Sequence, residues 1–411
     1  MNRKLRADAE SIVRYAIEAV KPDEAVHRAL KQVPLSDRMY LVAVGKAAWQ
    51  MAAAAVAELE IPLRDGIVIT KYGHAIRTIP GVRIFEAGHP VPDGNSYAAT
   101  QAVLSMTENL TEADTVLFLL SGGGSALFEM PRVEPEILQE VTKKLLTGGA
   151  EIAEINTIRK RLSFVKGGRF AAHCAPAKIE AVILSDVLGD AEDVIASGPA
   201  AADPATAEDA KRIAARYGVD GSLQVRLLLE EETPKSVPNV HSQIIGSVRQ
   251  LCSAAEQEAK RLGYDCIFLS DRLNGEASDT GRELARELLR YRGSGRKIAL
   301  LAGGETIVHV TGKGLGGRNQ ELALAAAQVL DGISGAALIS AGSDGTDGPT
   351  DAAGGYVDGD TVAALREKGM DIKAYLADND AYHALGAVDG LLFTGPTGTN
   401  VNDVTVGLIC E

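Results

Sequence analysis

A two-domain α/β protein is what this sequence predicts, on three observations. Short apolar runs of strand length alternate with longer segments whose apolar residues recur at helical spacing. The 43 glycines, set against 4% aromatic residues, favour many tight strand-to-helix turns over a large aromatic binding face. At 411 residues there is material for two cores, and residues 231–239 (EETPKSVPN), with two prolines and no periodicity, are the best break between them. The expected domains are therefore residues 1–235 and 240–411.

Ile12, Val13, Ala16, Ile17 and Val20 repeat at helical spacing and give an opening amphipathic helix. A strand over 40–44 ends in Gly45-Lys46 and runs into an alanine-rich helix over 47–59. Open α/β sheets place ligands at the carboxyl ends of buried strands, which makes the charged Lys46 the first candidate. Strands follow over 66–70 and 82–85, then a helix over 95–110. The loop between, GHPVPDGN (88–95), is rigid and carries His89 and Asp93; a lone loop histidine is more often a hydrogen-bonding structural residue than a catalytic one.

A continuous apolar run over 115–120 ends in SGGGSAL. Ser121 and Ser125 supply hydroxyls, and Gly122, Gly123 and Gly124 permit close backbone approach to a phosphate or substrate. No GxxxxGK[ST] occurs in the chain, and GxSxG would need glycine at Leu127, so this turn offers binding rather than an activated serine. Residues 156–171 (NTIRKRLSFVKGGRFA) hold Arg159, Lys160, Arg161, Lys166 and Arg169 with no acid among them. Such runs are usually solvated helix faces; Lys166, before Gly167-Gly168, is the best exception. A strand over 178–184 delivers Ser185 and Asp186, with Asp190 and Asp193 beyond. Carboxylates beside a basic, glycine-lined site suit Mg²⁺, although Asp186 also reads as a helix N-cap.

Past the break, a strand to Ile245, helix 248–262, strand 266–269, helix 276–289 and strand 298–302 lead into residues 303–322, GGETIVHVTGKGLGGRNQEL. This reads as a strand over 306–310, a loop of Gly312, Gly314, Gly316 and Gly317, and a helix beginning near Asn319. The glycines let amides turn toward one point at a helix N-terminus, which predicts an anion site, with Arg318 at the junction to bond phosphate or carboxylate in two places. Gly312, Gly314 and Gly317 also satisfy GxGxxG, but the strand over 336–340 is followed by Asp344, too late for the acid a dinucleotide site needs. Asp344, Asp347 and Asp351 lie in AGSDGTDGPTDAAGG, which lacks a calcium-loop pattern and fits a metal or hydroxyl site. Asn379-Asp380 opens a helix, and TGPTGTNVND (394–403) is a further glycine and hydroxyl loop.

The net charge of −13 argues against nucleic acid or an anionic membrane as the main partner. MNRKLRADAESIV carries charges where a signal peptide would be apolar, and no stretch approaches 18 apolar residues, so a cytoplasmic location is expected. Cys174, Cys252, Cys266 and Cys410 lack CxxC or zinc spacing, and the seven histidines lack HExxH, so reduced thiols and no structural metal are expected.

Taken in order, VGKAA, SGGGSAL, NTIRKRLSFVKGGRFA, LSDVLGD with IASGP, GGET, GKGLGGRNQEL, SDGTDGPTDAAGG and TGPTGTNVND resemble the glycerate 2-kinases of the MOFRL type over nearly the whole chain. The resemblance implies a larger Rossmann-like N-terminal domain, a smaller C-terminal α/β domain, an active site in the cleft between them, and transfer of a phosphoryl group from ATP, with Mg²⁺, to the 2-hydroxyl of D-glycerate. It places the family's active-site lysine and arginine on Lys46 and Arg318. On this reading Lys160 and Lys166 recognise the glycerate carboxylate or nucleotide phosphates, Asp186 orients the acceptor hydroxyl or acts as base, and Asp344 or Asp347 holds Mg²⁺. The partners expected are D-glycerate and ATP, and a homodimer is compatible with the resemblance. Three alternatives stay open: a hydroxypyruvate reductase using NAD(P)H, a kinase for another small hydroxy acid, and a sugar-acid binding protein without catalysis.

Overall fold

The apolar runs build two six-stranded sheets in the computed structural model, which describes residues 2–34, 36–59 and 61–410. The chain divides into two compact units, Pro22–Ile245 and Met1–Lys21 with Gly246–Glu411.

In the first unit, the strands are β1 (Met39–Val44), β2 (Asp65–Lys71), β3 (Arg83–Ala87), β4 (Thr115–Leu120), β5 (Lys178–Leu184) and β6 (Val240–Gly246), in spatial order β3-β2-β1-β4-β5-β6. The pairs β1–β2, β1–β4, β2–β3 and β4–β5 are all parallel. This is the doubly wound order of the Rossmann fold, whose strand sequence reverses between β1 and β4 and opens a crevice there. The register runs from Met39 opposite Thr115 to Val44 opposite Leu120, so the two central strands end side by side. Both are apolar throughout because both faces of the sheet are covered. Phe118, Phe128 and Phe170 meet in the core with ring centroids 5.1 to 6.0 Å apart.

The second unit orders β7 (Asp265–Leu273), β8 (Ile298–Gly304), β9 (Ala336–Gly342), β10 (Gly354–Asp358), β11 (Leu391–Leu392) and β12 (Asp403–Ile409) as β11-β10-β9-β12-β8-β7. The last strand in sequence lies centrally, antiparallel to both β8 and β9. The helix Arg318–Leu330 is buried over most of its length against this sheet.

Three expectations need correction. The opening helix, Arg3–Ala19, belongs with the second sheet, where it packs on the helix Val248–Arg261 and on β9 and β12. Its apolar face, Leu5, Ala9, Ile12, Val13, Ala16 and Ile17, is buried there, and polar ties from Tyr264 to Asp8 (2.7 Å) and Ser11 to Glu258 (2.8 Å) fix it. Residues 240–246 form β6 of the first sheet, so the units part at 245–246 rather than at 235–240. Finally, no strand forms over 306–310: β8 already has β7 and β12 as neighbours, and Ile307 and Val310 stand 49% and 74% exposed. Among the described residues, no helix is long and apolar enough to cross a membrane.

Candidate active site

Five strands of the first sheet deliver side chains or turns to its carboxyl edge. Beyond β1, the Lys46 amide donates to the Gly122 carbonyl (2.9 Å), while Ser121 beyond β4 donates its amide to Val44 (2.9 Å). The Ser121 hydroxyl accepts the Ala47 amide at 3.1 Å, and the Thr70 hydroxyl donates to the Gly45 carbonyl at 3.0 Å. The Lys46 backbone is thereby clamped on both sides at the point where the strand order reverses.

Its ammonium is different. Among the described residues, no carboxylate lies within ion-pair distance of Lys46 and its side-chain nitrogen makes no hydrogen bond. Lys71, the last residue of β2, is likewise unpaired. Asp186 follows β5, and its carboxylate lies over Gly122: a Cβ there would stand 2.1 Å from Asp186 Oδ2. Gly123 adopts φ +90°, and a Cβ there would meet His89 Cδ2 at 3.1 Å and Lys46 Cγ at 3.2 Å. Lys46, Gly122, Gly123, His89 and Asp186 thus converge, with Lys71 and His74 also near His89. Cationic side chains and a glycine turn at the carboxyl edge of a doubly wound sheet are the chemistry that suits an anionic ligand.

The basic segment plays a different part from the one expected. Lys160 is buried and ion-paired with Asp193 (3.1 Å) and Asp203 (3.0 Å), which also accepts the Thr233 hydroxyl at 2.7 Å. Lys166 is fully buried and donates to the carbonyls of Ser125 (2.8 Å) and Phe128 (3.0 Å), with Glu129 at 3.5 Å. Burial pushes its ammonium down to about 8. Both lysines therefore brace the glycine turn and its surroundings, a correction to their expected contact with ligand. The Ser121 and Ser125 hydroxyls are engaged too, Ser125 with Ser197 at 3.0 Å, so the turn offers a ligand its backbone rather than its serines.

The glycine loop of the second unit shows the larger departure. Its amides already have anionic or amide oxygens from the same chain: Thr311 and Gly312 donate to Asn379 Oδ1 (both 2.9 Å), Lys313 to Asp378 Oδ1 (2.9 Å), Gly314 to the Asp378 carbonyl (2.8 Å) and Leu315 to Asp380 Oδ1 (3.0 Å). The helix N-terminus is capped by Asp347, which accepts the amides of Asn319 (3.1 Å) and Gln320 (2.9 Å). Gly317 packs against that same carboxylate, while the Asn319 side chain bonds Asp347 and Ser340; Gly316 lies beside Ala381. The anion expected among Gly314, Gly316, Gly317 and Asn319 is thus supplied by the protein itself. Asp347, expected as a Mg²⁺ ligand, has both oxygens on backbone amides and serves as a helix cap.

Arg318 points outward from the cap. Its Nε and Nη2 bond Asp403 at 2.6 and 3.0 Å, and Nη1 bonds Glu305 at 2.7 Å. Of the five N–H donors a guanidinium carries, two remain for a ligand. Burial of Asp403 pushes its carboxyl up to about 6, against the pull of Arg318. Asp344 is half-buried, with one oxygen on the Thr346 amide (3.0 Å) and hydroxyl (3.2 Å). Among the described residues no cluster of three or more His, Cys, Asp or Glu side chains forms a metal cage. That donor set fits Mg²⁺ only in the manner of one or two carboxylates completed by phosphate oxygens and water.

Sequence reasoning missed His74, whose ring bonds the Lys46 carbonyl at 3.0 Å, and Lys71, although the rule that selected Lys46, a charge at a strand's carboxyl end, also applies to Lys71. It missed Asp403 because the strand carrying it was not recognised.

Residues 8–230 match a family described as a domain of unknown function, DUF4147, and residues 298–403 match the MOFRL family. A D-glycerate 2-kinase of Thermotoga maritima is 52% identical over 411 residues, spanning 98% of each chain. A glycerate 2-kinase of Pyrococcus horikoshii is 42% identical, spanning 97% of this chain and 96% of its own. A crystal structure of a glycerate kinase from Thermotoga maritima matches with a TM-score of 0.97 at 51% identity, over 100% of both chains.

Proposed function

This chain belongs to the glycerate 2-kinases of the MOFRL type, and from that membership we propose that it transfers the γ-phosphoryl group of ATP to the 2-hydroxyl of D-glycerate, giving 2-phosphoglycerate and ADP. The observation that carries the reading is Lys46, its backbone clamped where the strand order reverses and its ammonium unpaired among the described residues, next to a glycine turn over which the Asp186 carboxylate lies. Phosphoryl transfer needs charge neutralisation and alignment more than covalent help. Lys46 offers its full charge to the equatorial oxygens, and the backbone of Gly122, Gly123 and Gly124 lets the phosphoryl group approach closely. Asp186 orients the acceptor hydroxyl by accepting from it. Arg318 brings its two remaining N–H donors to phosphate or carboxylate, its plane fixed by Asp403 and Glu305. Asp344 would hold Mg²⁺, which supplies further neutralisation between the phosphates when bound.

A hydroxypyruvate reductase is the weaker reading. The first strand-to-helix turn, Gly45-Lys46-Ala47-Ala48-Trp49, lacks the three-glycine dinucleotide pattern, and β2 ends in Lys71 where a carboxylate would bind ribose. The test is ³¹P NMR of the purified protein with D-glycerate, Mg²⁺ and ATP, beside a reaction with NADH and hydroxypyruvate. The expected result is a 2-phosphoglycerate signal lost in Lys46→Ala and Arg318→Ala. A 3-phosphoglycerate signal overturns the regiochemistry, and NADH consumption without a phosphomonoester overturns the kinase.

A further inference from the structure

His89 stands apart from the other histidines of this chain. His27 pairs with Glu58, His241 with Glu180, His309 with Glu276 and His383 with Asp380, while His74 and His173 bond the carbonyls of Lys46 and Leu104. Among the described residues, neither ring nitrogen of His89 has a hydrogen-bond partner. The ring edge instead faces the closest point of the crevice: a Cβ on Gly123 would lie 3.2 Å from His89 Nε2 and 3.2 Å from Lys46 Cγ.

The loop carrying it is held firmly. Asp93 accepts the amide of Ser96 (3.0 Å), the hydroxyl of Tyr72 (2.7 Å) and the backbone of Gly88, next to His89 itself. The ring is thus positioned without using either of its nitrogens. We propose that His89 is the base of the kinase reaction proposed above, its Nε2 taking the proton from the acceptor hydroxyl as that oxygen attacks phosphorus. The O–H bond breaks toward the imidazole, the new P–O bond forms, and the electron pair of the broken P–O bond leaves on the ADP oxygen. The imidazolium then returns its proton to water. Asp186, which lies over Gly122, keeps the orienting role.

Electrostatics favour this. The groups facing His89 are Lys46 at the end of β1, Lys71 at the end of β2, and His74 beyond it; Asp93 and Tyr72 are engaged with each other, and Asp186 lies over Gly122. Burial lowers the His89 pKa, and Lys46, Lys71 and His74 lower it further, so the ring is a neutral acceptor at pH 7.

The test begins from wild-type phosphorylation of D-glycerate; if that is absent, the kinase reading fails and this inference with it. With the wild type active, His89→Gln and His89→Ala are compared, each with a thermal melt to establish folding. A loss in kcat of about 100-fold or more is expected, with imidazole in the buffer restoring part of it to His89→Ala. Lys71→Gln, which removes a positive neighbour of His89, moves the acidic limb of the wild-type pH profile to higher pH. Variants within threefold of wild type overturn the assignment, and so does a folded but inactive His89→Ala that imidazole does not rescue. An acidic limb left in place by Lys71→Gln does the same.

Discussion

Arg318 lies fork to fork with Asp403, Nε to Oδ2 at 2.6 Å and Nη2 to Oδ1 at 3.0 Å, and the carboxylate is buried at the first residue of β12. The pair orients the guanidinium before any ligand arrives. Asp403→Asn puts one carbonyl where the buried carboxylate stood and leaves Arg318 with Glu305 as its remaining ionic partner. Because Arg318 keeps part of its surface in water, the cost is about 2 kcal/mol rather than the full loss of a buried pair. Arg318→Lys is expected to cost about the same, since an ammonium cannot span two oxygens. Urea unfolding reads both; unchanged midpoints would mean the fork is not formed in solution.

Asp347 separates a helix cap from a metal ligand. Asp347→Ala removes acceptors from the Asn319 and Gln320 amides, and the loss of such a cap costs about 1 to 2 kcal/mol. The melting temperature should fall while the Mg²⁺ concentration that gives half-maximal activity stays where it is. A Mg²⁺ titration displaced several-fold toward higher concentration would return Asp347 to the metal.

The central strands β1 and β4 of the first sheet were legible because they are buried on both faces and announce themselves as apolar runs ending in glycine turns, and Lys46 followed from where such a run stops. The site around Gly312 misled for a specific reason. Glycines that free amides for an anion look the same in sequence whether the anion is a phosphate or Asp378, Asn379 and Asp380 of the same chain, 65 or more residues away for most of these contacts. Lys160 and Lys166 misled likewise, since their buried acids Asp203 and Glu129 lie outside the basic run. The helix Arg3–Ala19 was visible as amphipathic, but periodicity does not say which sheet its apolar face will meet.

Gly122 tests how tightly the crevice is built. An alanine methyl there would fall 2.1 Å from Asp186 Oδ2, so the carboxylate must move. Gly122→Ala is expected to lower kcat by about 10 to 100-fold, as misplacement of a reacting group by about 1 Å does. The melting temperature should change by only a few degrees, because Asp186 lies at a partly exposed strand end. Full activity in a folded Gly122→Ala would remove Asp186 from the acceptor.

Lys166 gives the fold a dependence on pH whose sign can be worked out. Burial lowers its pKa to about 8 in the folded protein, whereas in the unfolded chain it returns to the usual lysine value near 10.5. Between these values the unfolded chain binds more protons than the folded one, so the contribution of this group to stability rises with pH across that window. Below about 8 both states are protonated and the folded state carries the full cost of a buried ammonium, offset by Glu129 and the carbonyls of Ser125 and Phe128. Lys166→Met removes the titration. The stability of wild type relative to Lys166→Met, measured by denaturant unfolding at pH 7.5, 9 and 10, should therefore increase with pH by up to about 3 kcal/mol in total. A difference that stays flat across this range would mean that the ammonium reaches water and that the brace beneath the glycine turn is not closed.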